Sequence, residues 1–158
     1  MFFNNKPRLA FIFCITLLTA CGSRPCIEGM PTLNYVSFTD AETDSIILRK
    51  YVKDGGFTSL MDSVIISKSN SIYQKSNDTL HILTSPYGGD YPLDIHFDYE
   101  VYMPFANKLF RISNIVVKQT EVNEGISMDK TNCLDPIKSY TLNGQIINTN
   151  SYVLYLKN

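Results

Sequence analysis

The stretch LDIHFDYEVYM, residues 93–103, alternates polar and apolar side chains along most of its length. Successive side chains of a β-strand point to opposite faces of the sheet, so this alternation predicts a strand with one buried face. We therefore expect residues 93–103 to form a half-buried strand with an apolar row in the core. That row consists of Ile95, Phe97, Tyr99, Val101 and Met103.

The polar row of the same predicted strand is a candidate metal site. Imidazole together with carboxylates suits zinc and similar ions, whereas carboxylates alone suit calcium. The alternative is the water-exposed face of an antiparallel strand, where polar side chains are ordinary. The candidate metal ligands are Asp94, His96, Asp98 and Glu100.

Known catalytic signatures are missing from the sequence. It contains no GxSxG nucleophile elbow, no HExxH motif and no phosphate-binding glycine loop. Asp94 and Asp98 could be cast as a glycosidase carboxylate pair, but such pairs line a cleft and often come from separate elements. We expect neither enzymatic activity nor a cofactor.

The rest of the chain after Met30 contains further short segments rich in Ile, Val, Tyr, Phe and Thr, which suit a half-buried sheet. Turn-forming Gly, Asn, Asp and Pro residues separate them. About eight strands predict one all-β domain over residues 32–158. We expect an antiparallel β-sandwich, immunoglobulin-like or transthyretin-like, with a small closed barrel as second choice. Besides 93–103, the predicted strands are 33–38, 44–52, 62–68, 79–84, 109–119, 151–157 and the hairpin 138–148.

The clearest turn signal is Asn143-Gly144, inside YTLNGQII. Both central residues of a type I′ turn need a positive φ angle, which Asn and Gly tolerate best. Residues 148–150, NTN, are the next turn signal. We expect residues 139–157 to form a three-stranded meander.

The N-terminal residues follow the order of a secretory signal peptide: a head with Lys6 and Arg8, an apolar core, then small residues. The apolar core has about half of the roughly 20 residues that a membrane-spanning helix needs, so we do not expect it to be a permanent transmembrane helix. The four residues Leu18 to Cys21, LTAC, resemble the lipobox of bacterial lipoproteins. The resemblance implies that residues 1–20 are cleaved, that the Cys21 thiol is lipidated, and that residues 21–31 form a membrane-anchored tether.

Gly22 stands where the inner-membrane retention signal of that family has Asp, so the resemblance implies the outer membrane. No acidic run follows Cys21, and we expect the protein to face the periplasm rather than the cell surface. The Asn- and Tyr-rich body resembles uncharacterised lipoproteins of Bacteroidota-type bacteria. This resemblance is one of composition and implies no activity.

The formal charge of the chain restricts the class of partner that we expect. Without Lys6 and Arg8, 12 basic and 15 acidic residues give a formal charge of −3, and no basic tract remains. We therefore do not expect a nucleic-acid partner.

Cys26 and Cys133 are expected to form a disulfide in the envelope, where such bonds persist. The alternative is two separate buried thiols.

Tyr87 and Tyr91 flank GGD in a predicted loop, where amphipathic rings can stack on a sugar or contact a protein. The alternative is that both rings pack over the end of the sandwich.

The sequence as a whole predicts a lipid-anchored envelope protein acting as a non-enzymatic binding or structural module for protein or glycan. The alternative is a metal-binding factor or envelope enzyme that uses the Asp94–Glu100 strand face.

Overall fold

The computed structural model describes residues 24–25, 27–28, 31–85, 89–90, 93–118, 121–122 and 134–158. The chain divides into two compact units. One comprises Met1–Ile27 and Gln119–Leu134, and the other comprises Glu28–Lys118 and Asp135–Asn158. Among the described residues, no helix is long and apolar enough to cross a bilayer.

Short strands make up most of the described chain, with a single 3-10 turn at Pro104–Ala106 among these residues. In the smaller unit, the first strand pairs antiparallel with the eleventh, with Arg24 opposite Val122. The strands are β1 (Arg24–Pro25), β2 (Ile27–Glu28), β3 (Thr32–Val36), β4 (Ser45–Val52), β5 (Leu60–Ser67), β6 (Ile72–Ser76), β7 (Thr79–Ser85), β8 (Gly89–Asp90), β9 (Phe97–Met103), β10 (Lys108–Val117), β11 (Glu121–Val122), β12 (Leu134–Asp135), β13 (Ile137–Leu142), β14 (Gln145–Ser151) and β15 (Val153–Lys157).

The larger unit contains two sheets, and the predicted all-β sandwich is confirmed. A six-stranded antiparallel sheet has the order β14-β13-β10-β9-β4-β5. The second sheet has the order β15-β3-β7-β6, and β8 also pairs with β7. Within the second sheet β15 runs parallel to β3, whereas the other pairs are antiparallel.

One apolar cluster lies between the two sheets. In β9, Tyr99, Val101 and Met103 are at most 3% exposed and belong to this cluster, as the alternation predicted. From the second sheet, Leu154 and Leu156 of β15 are fully buried in it. Burying a side chain of this size contributes about 1.5–3 kcal/mol, so the alternating rows hold the two sheets together.

The prediction that residues 93–96 belong to the same strand as residues 97–103 is wrong, since β9 begins at Phe97. Asp94 Oδ1 accepts the His96 backbone N–H at 2.9 Å, and the Phe97 N–H donates to the Asp94 carbonyl at 3.2 Å. An aspartate that bonds the backbone two residues on forms a turn and competes with strand pairing. Asp94 therefore ends the alternation in a turn.

The C-terminal hairpin is confirmed and the meander is wrong. Asn143 and Gly144 have φ angles of 49° and 81°, as a type I′ turn requires, and β13 pairs with β14. The predicted NTN turn instead lies within β14. β15 then crosses to the other sheet, where Leu154 pairs with Leu33 of β3. By crossing to the second sheet, β15 buries its apolar residues Leu154 and Leu156 in the core.

Candidate functional site

The face of the six-stranded sheet that points away from the core carries the polar side chains of β9. We call it the outer face. Because Tyr99, Val101 and Met103 enter the core, the alternating residues Asp98 and Glu100 lie on the outer face. Both carboxyl-bearing residues are nonetheless buried, at 2% and 5% exposure. The centre of the outer face therefore differs from the water-exposed face of an ordinary antiparallel sheet, because its polar side chains are buried.

Glu100 lies between two arginines from the neighbouring strands. Arg49 of β4 and Arg111 of β10 are each directly opposite Glu100 in the sheet register. Arg49 Nη1 donates to Glu100 Oε1 at 2.6 Å, and Arg111 Nε donates to Glu100 Oε2 at 3.2 Å. We call these three residues the Glu100 triad. The arrangement gives a buried carboxylate the partners it needs and fixes two guanidinium groups on the outer face.

The triad leaves a positive charge facing solvent. The Glu100 side chain is 7% exposed, whereas those of Arg49 and Arg111 are 33% and 53% exposed. Two guanidinium groups and one carboxylate sum to one positive charge at neutral pH. Since Glu100 holds the Nε edge of Arg111, the orientation of this half-exposed guanidinium is set before any ligand arrives.

Asp98 holds the loop that connects β4 and β5, residues 53–59. Its Oδ2 accepts the Asp54 backbone N–H at 3.0 Å. Burial raises the pKa of the Asp98 carboxyl above its ordinary value, although the N–H groups of Asp54 and Asn114 act in the opposite direction. The carboxyl thus fastens the loop at a position where its own ionisation is disfavoured.

The loop places the ring of Phe57 on the outer face. Phe57 has a φ of 61°, and Asp54 and Gly56 both have a φ of 60°. Positive φ is common for glycine but unusual for an aromatic residue, and such strain costs of order 1–3 kcal/mol. The ring meets Tyr51 edge-on at 5.6 Å and lies 5.3 Å from the Arg111 guanidinium carbon. These contacts offset the strain and fix the ring beside the triad.

Phe57, β10 and the β13–β14 turn line an open groove of 450 Å³ on the outer face, which we call the Phe57 groove. Its volume lies in the range of about 300–1,000 Å³ that is usual for ligand sites. Arg111 is the charged residue of its lining, and Gly144 lies at its end. The other lining residues are Phe57, Leu109, Ser113, Thr141 and Asn143.

Asn143 ties the turn to β10. Its Oδ1 accepts the Arg111 backbone N–H at 2.8 Å, and its own N–H donates to the Arg111 carbonyl at 2.9 Å. The turn residue that the sequence identified therefore also fixes the backbone of the residue that carries the charge of the groove.

The four predicted metal ligands are not brought together. The Asp94 backbone N–H donates to the hydroxyl of Tyr99 at 2.8 Å, and Asp94 lines a smaller cavity of 220 Å³ with Lys50 and Asp62. His96 Nδ1 is 2.8 Å from Asp94 Oδ1, and the His96 N–H is the main cause of the lowered pKa of Asp94. Asp98 and Glu100 lie on the outer face. Among the described residues, no three His, Cys, Asp or Glu side chains are grouped as a metal site would require.

The remaining predicted site residues lie outside the described residues. They are the lipidation site Cys21, the disulfide pair Cys26 and Cys133, and the loop tyrosines Tyr87 and Tyr91. These assignments remain predictions.

No motif in the sequence marks Arg49, Arg111 or Phe57 as a site residue. The two arginines follow the outward alternation of their strands, but their pairing with Glu100 depends on a register between β4, β9 and β10 that the sequence does not display.

No protein-family model, curated protein or solved structure matches this chain.

Proposed function

We propose that this chain is a lipid-anchored lipoprotein of the bacterial outer membrane, facing the periplasm, and acts as a non-enzymatic module that binds an envelope protein or glycan. The anchor is supported by the charged head, the apolar core and the LTAC motif that ends at Cys21. The proposed binding site is the Phe57 groove.

The orientation of Arg111 is the observation that carries the binding proposal. Its Nε is held by Glu100, its guanidinium lies next to the Phe57 ring, and about half of its side chain stays exposed. A group that is ordered before binding loses less conformational entropy when a ligand arrives. A strained aromatic residue beside it is typical of sites where function outweighs local stability.

The lining of the groove favours binding over catalysis. Its polar groups are the Arg111 guanidinium, the hydroxyls of Ser113 and Thr141, and the Asn143 amide. None of these groups is a His, Asp, Glu, Lys, Tyr or Cys of the kind that usually serves as a general acid or base, so they suit hydrogen bonding better than proton transfer. This composition supports the proposed binding role of the groove.

Fatty-acid labelling tests the anchor. Cells that express the full chain are grown with an alkyne-tagged fatty acid, and the protein is examined by in-gel fluorescence and intact mass. We expect label on the wild type, none on Cys21→Ala, and unchanged label on Cys14→Ala, which alters a cysteine of the expected leader. Label on Cys21→Ala, or a wild-type mass that still includes residues 1–20, would contradict the anchor.

Photo-crosslinking tests the binding site in cells. A photoreactive amino acid replaces Ser113 in the groove or Gln74, an exposed residue of β6 in the other sheet. We expect a crosslinked envelope component from position 113 that weakens in an Arg111→Gln background and is not obtained from position 74. The same crosslinking pattern at both positions would exclude the groove as the binding site.

A further inference from the structure

We infer that the ligand of the Phe57 groove is a carboxylate-bearing saccharide of the uronic-acid class. This inference rests on the proposed binding function and names the chemistry of its ligand. It follows from three properties of the groove: its charge, the kind of polar groups that line it, and its distance from the free edges of the sheet.

The charge of the groove favours a carboxylate. Arg111 is the charged residue of the lining, and the triad to which it belongs sums to one positive charge. Glu100 accepts from Nε of Arg111, so the Nη groups of this planar guanidinium remain for a second acceptor. A carboxylate matches the spacing of two guanidinium N–H groups and can accept both in a bidentate pair.

The uncharged lining favours a sugar. The hydroxyls of Ser113 and Thr141 can each donate to or accept from sugar hydroxyls, and Asn143, whose Oδ1 accepts the Arg111 N–H, has its Nδ2 group to donate. The Phe57 ring supplies an apolar surface of the kind on which the C–H face of a sugar ring packs. Gly144 has open space around the position of an added side chain, so a ligand can approach the turn backbone.

The position of the groove disfavours an extended peptide. Such peptides commonly bind by adding a strand to a free sheet edge, where backbone groups lack partners. The groove lies over β10 and β13, and each of these strands is paired on both sides. A ligand there meets side chains rather than free strand backbone, which suits hydroxyl recognition.

Binding is tested with the detergent-solubilised full-length protein and a fluorescent tetragalacturonate, followed by fluorescence anisotropy. We expect saturable binding that weakens as salt is raised. The methyl-esterified tetrasaccharide, which keeps the sugar and lacks the charge, should bind at least about tenfold more weakly, because a hydrogen bond to a charged group is the stronger kind. Tetraglutamate supplies carboxylates without the sugar and should also bind at least about tenfold more weakly.

Matched variants connect the binding to the groove. Arg111→Gln and Lys75→Gln each remove one positive charge, and Lys75 lies on β6 of the other sheet. We expect Arg111→Gln to weaken tetragalacturonate binding at least about tenfold and Lys75→Gln to leave it within about twofold. Phe57→Leu keeps an apolar side chain and all charges, so it tests the ring if Arg111→Gln does not fold, with an expected loss of about fivefold.

Several results would overturn the inference. They are equal binding of the esterified sugar, equal or tighter binding of tetraglutamate, equal effects of the two charge-removing variants, or no binding of any probe. Failure here is distinct from failure of the proposed function. Crosslinking from position 113 that depends on Arg111 would survive it, and only the chemical class of the ligand would then be wrong.

Discussion

Asp98 of β9 accepts the backbone N–H of Asp54 at 3.0 Å, and this bond fastens the loop that carries Phe57. Glu100, two residues further along the same face, accepts at 3.2 Å from Nε of Arg111, the charged residue of the groove lining. The two outward carboxyl groups of β9 therefore each hold a part of the chain that lines the groove, Asp98 through the loop that carries Phe57 and Glu100 through Arg111. Both carboxyl groups are buried although they lie on the outer face, and the partners they bind there are the loop at Asp54 and the side chains of Arg49 and Arg111.

The raised pKa of Asp98 predicts a defined dependence of stability on pH. Burial raises this pKa above the ordinary value of 3.8 in the folded state, so the folded state binds the proton more tightly than the unfolded state. The contribution of Asp98 to stability is therefore fully present below pH 3.8 and decreases as pH rises through the raised value. Asp98→Asn cannot titrate, and it keeps an oxygen that can accept from Asp54.

The measurement is the free energy of unfolding of both proteins as a function of pH. We expect the difference, wild type minus Asp98→Asn, to fall between about pH 4 and the raised pKa of Asp98 and then to level off. A difference that rises with pH across the same window would show that the carboxylate form is favoured by folding, and that burial is not the dominant influence.

Glu100→Gln tests the triad as a stabilising unit. The substitution preserves shape but removes the negative charge between Arg49 and Arg111, so the two guanidinium groups repel each other. Because both arginines are partly exposed, we expect a loss of about 1–3 kcal/mol in the free energy of unfolding, less than for a fully buried ion pair.

Asp78→Asn is the matched control, since it changes an exposed carboxylate to an amide in the turn between β6 and β7. It should alter stability by less than about 0.5 kcal/mol. Chemical denaturation of the three proteins at neutral pH provides the comparison. Equal stabilities for the wild type and Glu100→Gln would mean that the triad contributes no net stability to the fold.

The fold class could be predicted because local patterns and tertiary packing agree along most of the chain. The apolar row of β9 and the Asn143-Gly144 turn are examples in which alternation or backbone preference determines the outcome directly. β6, with the sequence IYQKS, was missed because its polar residues have weak strand preference and it forms by pairing with β7. The path of β15 depended on which sheet could bury Leu154 and Leu156.

The candidate site was harder to predict than the fold. Alternation correctly assigned Asp98 and Glu100 to one face, but Arg49 lies 51 positions before Glu100 in the chain, and only strand register brings the two side chains together. The glycines of the β4–β5 loop predicted a turn, yet they carried no sign that Phe57 would fold back over the sheet. Sites assembled across strands are set by register, which a single sequence encodes weakly.

The separation of the predicted ligands leads us to expect no stabilisation by zinc or calcium. Glu100 already accepts from two arginines, and Asp94 and His96 contact each other in the turn before β9. Thermal melts with EDTA, zinc or calcium should give the same Tm within about 1 °C, because a ligand that does not bind the folded state cannot stabilise it. A saturable rise in Tm that disappears in Asp94→Asn would revive a metal site at that turn.

The edge strand β5 leads to a prediction about self-association. The Asn70 side chain accepts the Ser67 N–H and donates to the Ile65 carbonyl, both at 2.8 Å, and so occupies backbone groups at one end of this strand. The same strand exposes Leu60, Met61 and Ile65 by 54–59%. A long apolar edge with unoccupied backbone groups is a template for pairing with another chain.

We therefore expect Asn70→Ala to increase self-association, because it frees the two backbone groups of Ser67 and Ile65 without changing the apolar side chains. Ser69→Ala is the control, since the Ser69 hydroxyl bonds the Ser67 hydroxyl, and its removal leaves the backbone groups of Ser67 and Ile65 bonded to Asn70. Sedimentation velocity in detergent across a concentration series should show larger species for Asn70→Ala alone. If both variants sediment like the wild type, the Asn70 amide is not what keeps this edge from pairing, and the side chains at the edge must be sufficient to prevent it.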